Sequence, residues 1–181
     1  SNNYQFGEIH VKSTISSKNY VNYSSFSRCM NQNSGANHII GLNCGNVCYQ
    51  SVNTSLNKCH AASGFGCWPT SDSNSVTCSL TYSTFTDNIA MDFTCIWLNT
   101  GGAKYEIKNC NILRNTQVSL STYGTIYTSG TMVIEDSCIL ENTANRIFYQ
   151  ASSSCTFTLS RCTVDKTTNN GYLTIKNTVT K

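Results

Sequence analysis

Nine carboxylates, three histidines and eleven cysteines are the side chains of this 181-residue sequence with chemistry to offer. A close pair of carboxylates would suit glycoside hydrolysis. Acidic calcium ligands beside an Arg or Lys base on one exposed sheet would suit polysaccharide elimination. The acids here are Glu8, Asp72, Asp87, Asp92, Glu106, Glu135, Asp136, Glu141 and Asp165, and they are dispersed along the chain. Asp92 with Glu135 and Asp136 is the residual catalytic candidate, and its two parts fall in different strand groups. His10, His38 and His60 are scattered; His10 and His38 would make a metal pair only if they stack in neighbouring coils, and surface or corner positions are expected instead. No Ser-His-Asp, phosphate-loop or dinucleotide pattern is present, and Gly64-x-Gly66 precedes no helical pattern, so it reads as a turn. No catalytic, cofactor or metal site is therefore expected.

The elements that position these residues come from a repeat of about 27 residues. Anchored on one apolar residue each, its copies run Phe26, Leu56, Phe85, Ile112, Ile139 and Val164, with steps of 30, 29, 27, 27 and 25. Two before each anchor the residue is small: Ser24, Thr54, Ser83, Cys110, Ser137 and Cys162. Three after stand Cys29, Cys59, Asn88, Asn115, Asn142 and Thr167. Self-similarity at a fixed period marks a solenoid, in which each unit buries its apolar face against its neighbours.

Within a unit the alternation is in twos, as in Tyr105-x-Ile107 and Cys110-x-Ile112, with one shift of phase between Ile107 and Cys110. Period-two alternation sets one face of a strand inward, and a shift at a fixed place predicts a corner. The same shift falls between Leu80 and Ser83, Ile134 and Ser137, and Leu159 and Cys162. A second strand group lies upstream of the anchors, at His38–Ile40, Cys67–Trp68, Cys95–Leu98, Thr125–Tyr127 and Ile147–Tyr149, with Glu8-Ile9-His10-Val11 starting the series. Ser and Asn dominate, which disfavours helix. The whole chain, 1–181, is expected to be one all-β domain of about six coils, roughly 30 Å long at ~4.8 Å per strand.

That register assigns the remaining candidates. Two after the anchors come Asp87, Arg114, Glu141 and Lys166, an outward row of alternating sign expected to form an ion-pair ladder. Lys108 and Glu135 should form another such pair. Asn88, Asn115 and Asn142 should stack at a turn, since Asn tolerates the left-handed conformation and its amide bonds backbone groups. Cys29 and Cys59 fall at one place in adjacent coils, about 4.8 Å apart, within disulfide range. Cys67–Cys95 and Cys44–Cys48 are further expected bonds, while Cys110, Cys138 and Cys162 either give one inter-coil bond or pack as small apolar residues. The odd total leaves at least one thiol free or bonded to another chain. Two N-glycosylation sequons, Asn22-Tyr23-Ser24 and Asn53-Thr54-Ser55, sit in an outward phase and at a corner.

A coil of this length with bent strands and an inward Asn at a turn resembles the right-handed parallel β-helix of the pectin-lyase-like superfamily. Phe85-Thr86-Asp87-Asn88, Ile112-Leu113-Arg114-Asn115 and Ile139-Leu140-Glu141-Asn142 are similar to the (Phe/Ile)-x-x-Asn repeats of polymorphic outer-membrane-protein-like surface proteins, and the chain also resembles the Asn/Ser/Thr/Cys-rich repeats of protist surface proteins. The resemblance covers nearly the whole chain, most clearly 78–167, and the first two coils depart from it with Cys29 and Cys59 in the Asn place.

Cysteine content and sequons imply an extracellular or cell-surface location. The net charge of +3 has no clustered basic run, so no nucleic-acid partner is expected, and no apolar run is long enough to span a membrane. The expected role is non-enzymatic, a secreted structural or adhesive solenoid joining copies of itself end to end, with a possible cell-surface or glycan partner. The rival readings are a carbohydrate-active β-helix enzyme, resting on fold analogy alone, and a glycan-binding module. For the last, Tyr20, Tyr23, Tyr82, Tyr123, Tyr127, Tyr149, Trp68 and Trp97 are the candidates for stacking on sugars, although their place in strand runs favours packing within the wall.

Overall fold

The computed structural model describes residues 9–12, 17–31, 38–119 and 123–181, and they form an all-β, parallel β-solenoid of about five turns. Incomplete outer rungs bring two of its sheets to seven strands. The first sheet stacks Ile9–Lys12, Ile40–Asn43, Phe65–Trp68, Ile96–Leu98, Ile126–Thr128 and Phe148–Gln150. The second stacks Lys18–Asn22, Asn46–Gln50, Val76–Thr81, Lys104–Lys108, Thr131–Glu135, Thr156–Ser160 and Leu173–Lys176. The third runs from Ser25–Ser27 through Asn53–Ser55, Thr84–Thr86, Asn111–Leu113, Cys138–Leu140 and Thr163–Val164 to Val179–Thr180. Four two-residue strands, Met30–Asn31, Lys58–Cys59, Ile89–Ala90 and Thr116–Gln117, make the fourth. Of the expected first strand, Glu8 lies outside the described residues.

The phase shift seen in the sequence is a left-handed residue. At the corner between the second and third sheets, Tyr23, Ser51, Tyr82, Asn109, Asp136, Arg161 and Asn177 all have φ between 45° and 55°. At the next corner Arg28, Leu56, Asp87, Arg114 and Glu141 repeat the device. Outside glycine this conformation costs about 1–2 kcal/mol per residue. The ladder offsets it by running unbroken through the bend: Tyr82 N donates to Lys108 O, Asn109 N to Glu135 O and Asp136 N to Ser160 O. One residue is absorbed and the same face stays inside, so Tyr105, Ile107 and Ile112 are all fully buried.

One rung corrects the sequence reading. The residue level with Phe26 and Phe85 is Thr54, not Leu56. Leu56 is a left-handed corner residue, 48% exposed. A two-residue slip preserves inward parity, so alternation alone cannot detect it; the apolar Leu56 drew the anchor because Thr54 is polar. Thr54 is fully buried in a column with Phe85, Ile112, Ile139 and Val164, and its Oγ1 finds no hydrogen-bond partner. Removing an unsatisfied buried hydroxyl recovers its desolvation cost. Thr54→Val is thus expected to stabilise the fold by about 1 kcal/mol, read as a higher urea midpoint at unchanged slope; a lower midpoint would mean the hydroxyl is satisfied.

The slip also undoes the expected Cys29–Cys59 bond. Cys59 is level with Asn31 and Ala90, and Cys29 lies opposite Asn57, whose Oδ1 accepts the Cys29 N–H. Cys67 pairs with Leu98 while the Cys95 carbonyl meets Gly64 and Phe65. Cys44 is a left-handed turn residue and Cys48 stands between Tyr20 and Ser79 on the outer face of the second sheet. Among the described residues no two cysteines are joined by a disulfide.

Candidate functional site

The strongest constellation in the interior is an asparagine ladder. Asn57, Asn88, Asn115 and Asn142 are buried at the turn after the second corner. The first three pass the same bonds up the stack: Asn88 N and Nδ2 both donate to Asn115 Oδ1, at 3.1 and 3.0 Å, and Asn115 N and Nδ2 both donate to Asn142 Oδ1, at 3.0 Å each. The second Nδ2 proton goes to a carbonyl in the wall, Thr54 O for Asn88, Phe85 O for Asn115 and Ile112 O for Asn142. Asn57 joins the ladder at the place assigned from sequence to Cys59.

A second column, the small residues after the first corner, performs the same service with hydroxyls. Ser83 Oγ accepts from Val52 N and donates to Thr81 O, and Ser137 Oγ accepts from Cys110 N and donates to Glu135 O. Cys110 and Cys162 occupy this column with their thiols on Lys108 O and Ser160 O, at 3.2 and 3.4 Å. Burial pushes the Cys59 and Cys110 thiols up to about 11 and Cys95 up to about 12. Cys67 is raised well above its ordinary value by burial and by its contact with the Cys78 thiol. Such thiols stay protonated at neutral pH and are poor nucleophiles.

On the outer wall the acids meet cationic partners, most of them in adjacent rungs. Arg114 grips Asp87 with two parallel bonds, Nε to Oδ1 at 2.8 Å and Nη2 to Oδ2 at 2.9 Å, and holds that carboxyl below its usual range. Arg161 grips Asp136 in the same way, both bonds 2.8 Å, and lowers it likewise. Lys108 bridges Glu106 at 2.6 Å and Glu135 at 3.3 Å, and those carboxylates raise its own pKa. The expected row is shorter than the sequence suggested: Glu141 acts on Arg114 through its charge, but no ion pair joins Glu141 to Lys166 among the described residues, because the Asp165 carboxylate turns back to accept Glu141 N. Asp92 pairs with His60 at 2.7 Å, on the turn after the fourth sheet, away from Glu135 and Asp136 on the second. His10 is level with Gly41 rather than His38.

The outer face of the first sheet is aromatic; from the sequence these residues are legible as parts of strand runs, but the face they share is not. Trp97, Tyr127 and Tyr149 are level in successive rungs, and Tyr127 and Tyr149 lie nearly parallel with centroids 5.7 Å apart. Phe93 and Tyr123 cover them from the adjoining turns, 4.8 and 5.6 Å from the Trp97 ring. In the earlier rungs the column is Gly41 and Gly66. The His38 ring lies over Gly66, where a Cβ would come within 2.9 Å of Nδ1, and it meets Trp68 edge-on at 4.7 Å. Trp97 is only 9% exposed, so the band is mostly wall. It opens at Tyr149, onto a cavity of about 450 Å³ lined by Tyr149, Gln150, Ser152, Asn170 and Tyr172. Aromatic faces with amides and hydroxyls can hold a neutral hydroxylated ring.

Among the described residues no group of three His, Cys, Asp or Glu is placed to hold a metal ion, and no helix is long and apolar enough to cross a membrane. No family model, no curated protein and no solved structure matches the chain.

Proposed function

We propose that this chain is an extracellular structural and adhesive β-solenoid, a stiff rod that associates with copies of itself through its ends and meets a surface or glycan partner along its wall. The observation that carries the reading is the commitment of the carboxylates. Asp87, Glu106, Glu135 and Asp136 are each engaged by an Arg or Lys, Asp92 by His60 and Asp165 by a backbone amide. Groups that would carry glycosidase or lyase chemistry are thereby engaged in the wall, and all but Glu106 tie one rung to the next. The likeness of the Asn-bearing repeats to polymorphic outer-membrane-protein-like surface proteins, within the pectin-lyase-like superfamily, supports the same role.

Self-association would use the last described rung, where, among the described residues, Leu173–Lys176 and Val179–Thr180 each pair on one side only and Ile175 and Val179 are 46% and 61% exposed. A second copy, or a further turn of the same solenoid, would pair those edges. Electron microscopy of concentrated, unreduced protein tests this. Rods with an axial repeat of roughly 30 Å or a small multiple are expected; discrete particles at every concentration, with no binding to cell surfaces, would overturn it.

A second reading, a saccharide-binding module, is favoured by the Tyr149–Tyr172 cavity alone. It expects neutral oligosaccharides to bind there and Tyr172→Ala to abolish binding.

A further inference from the structure

The first corner carries a groove that neither the ladders nor the aromatic band uses. It has a volume of about 410 Å³ and is lined by Tyr23, Ser51, Asn53, Tyr82 and Thr84 among others. Tyr23 and Tyr82 are 82% and 63% exposed. They occupy the same corner position two rungs apart, with the small Ser51 between them. At the strand spacing their backbones are about 9.6 Å apart, which leaves a slot between the rings for one flat six-membered ring. Both are left-handed, with φ of 50° and 51°. That conformation is uncommon for an aromatic residue, and here it is imposed by the bend, so the backbone itself sends the rings outward.

Both sequons border this corner. Asn22 is the last residue of its strand before the bend and Asn53 the first of its strand after it, one rung further on. Asn53 is exposed, lines the groove, and only its backbone is tied down, by its N–H to Ser24 O at 2.9 Å. We propose that Asn53 is an N-glycan acceptor and that the Tyr23–Tyr82 slot seats the first sugar of its glycan. Glycan transfer from a lipid-linked diphospho-oligosaccharide forms a bond from sugar C1 to Asn53 Nδ2. It breaks the C1–O bond to the diphosphate, which leaves with that electron pair, and one Nδ2 proton passes to solvent. The apolar C–H face of the sugar then meets the electron-rich faces of the two rings. A free sugar would hold such a site weakly, but a tethered one is present at millimolar effective concentration and stays seated. The sugar in turn covers two exposed rings that would otherwise face water.

The inference rests on the secretory part of the reading above, and its test is independent of rod formation. The full chain is expressed in a eukaryotic secretory host and Asn53 occupancy is read by peptide mass spectrometry. Removing the glycan enzymatically is expected to lower Tm by about 2–4 °C, and to lower it by less than about 1 °C in Tyr23→Ala/Tyr82→Ala, whose exposed side chains leave the core intact. Asn53→Gln should abolish the effect and Asn22→Gln should keep it. By NMR the N-acetyl methyl of the first sugar should be shifted upfield by the rings and lose that shift in the double variant. An unmodified Asn53, a glycan effect that survives the double variant, or one that follows Asn22 would each overturn the proposal.

Discussion

Asn115→Ala is expected to destabilise the solenoid by about 4 kcal/mol. The side chain carries four hydrogen bonds in a buried place: Oδ1 accepts from Asn88 N and Nδ2, and Nδ2 donates to Asn142 Oδ1 and Phe85 O. Alanine removes all four and leaves the Asn88 N–H, an Asn88 amide proton and the Phe85 carbonyl with lost partners in the dry interior. Each such group costs about 1–3 kcal/mol. Asn57→Ala should cost less, about 2 kcal/mol, because the groups that it orphans in the preceding rung, Cys29 N and Phe26 O, belong to half-buried residues. Urea denaturation of both variants measures this directly. In a stack held by nearest-neighbour contacts, a break at the centre also weakens coupling between the two halves, so Asn115→Ala should broaden or split the transition where Asn57→Ala does not. A loss below about 1 kcal/mol at Asn115 would mean that backbone pairing alone holds the turn.

The place of that ladder was legible from the chain because the anchors Phe85, Ile112 and Ile139 are apolar and evenly spaced. The bend was equally legible: each shift of phase, such as that between Ile107 and Cys110, coincides with a left-handed residue, here Asn109. What misled was chemistry at a single site. Thr54 is a hydroxyl where its column is otherwise apolar, and with Leu56 two residues on, parity gave no warning. Asn57 was thereby missed and Cys29–Cys59 wrongly aligned. Asking which Asn lay in step with Asn88, rather than which apolar residue lay in step with Phe85, would have recovered the register.

Other features were beyond reach for a different reason. Period-two alternation says which residues share a face but not what covers that face. The first sheet is buried on both sides, as Ile96, Trp97 and Leu98 in succession show, so its outward residues read like core. The contact of Cys67 with Cys78 joins two sheets whose relative placement depends on how the loop between them closes. The ion pairs were legible where both partners are strand or corner residues of adjacent rungs, as in Asp87–Arg114 and Lys108–Glu135. They failed at Lys166, where the chain leaves the regular rung and Asp165 takes over the Glu141 amide.

Trp97→Ala separates the two things that an aromatic band can do. A binding platform keeps its rings in water, so truncation costs affinity and little stability. A wall buries them, so truncation opens a cavity. Trp97 is 9% exposed and its ring lies 4.8 Å from Phe93, 5.0 Å from Tyr127, 5.6 Å from Tyr123 and 6.1 Å from His38. The wall reading therefore expects a loss of about 3–5 kcal/mol, the usual range for a buried Trp or Phe cut to alanine. Tyr149→Ala, at the open end of the band and half-buried, should cost no more than about 2 kcal/mol and act instead on any ligand of the neighbouring cavity. Because the chain has only two tryptophans, Trp68 remains as the fluorescent reporter in the Trp97 variant, and its emission should move to the red as His38 and Phe93 loosen around the gap. Unchanged stability with lost saccharide binding in Trp97→Ala would reverse the assignment and make the outer face of the first sheet the binding surface.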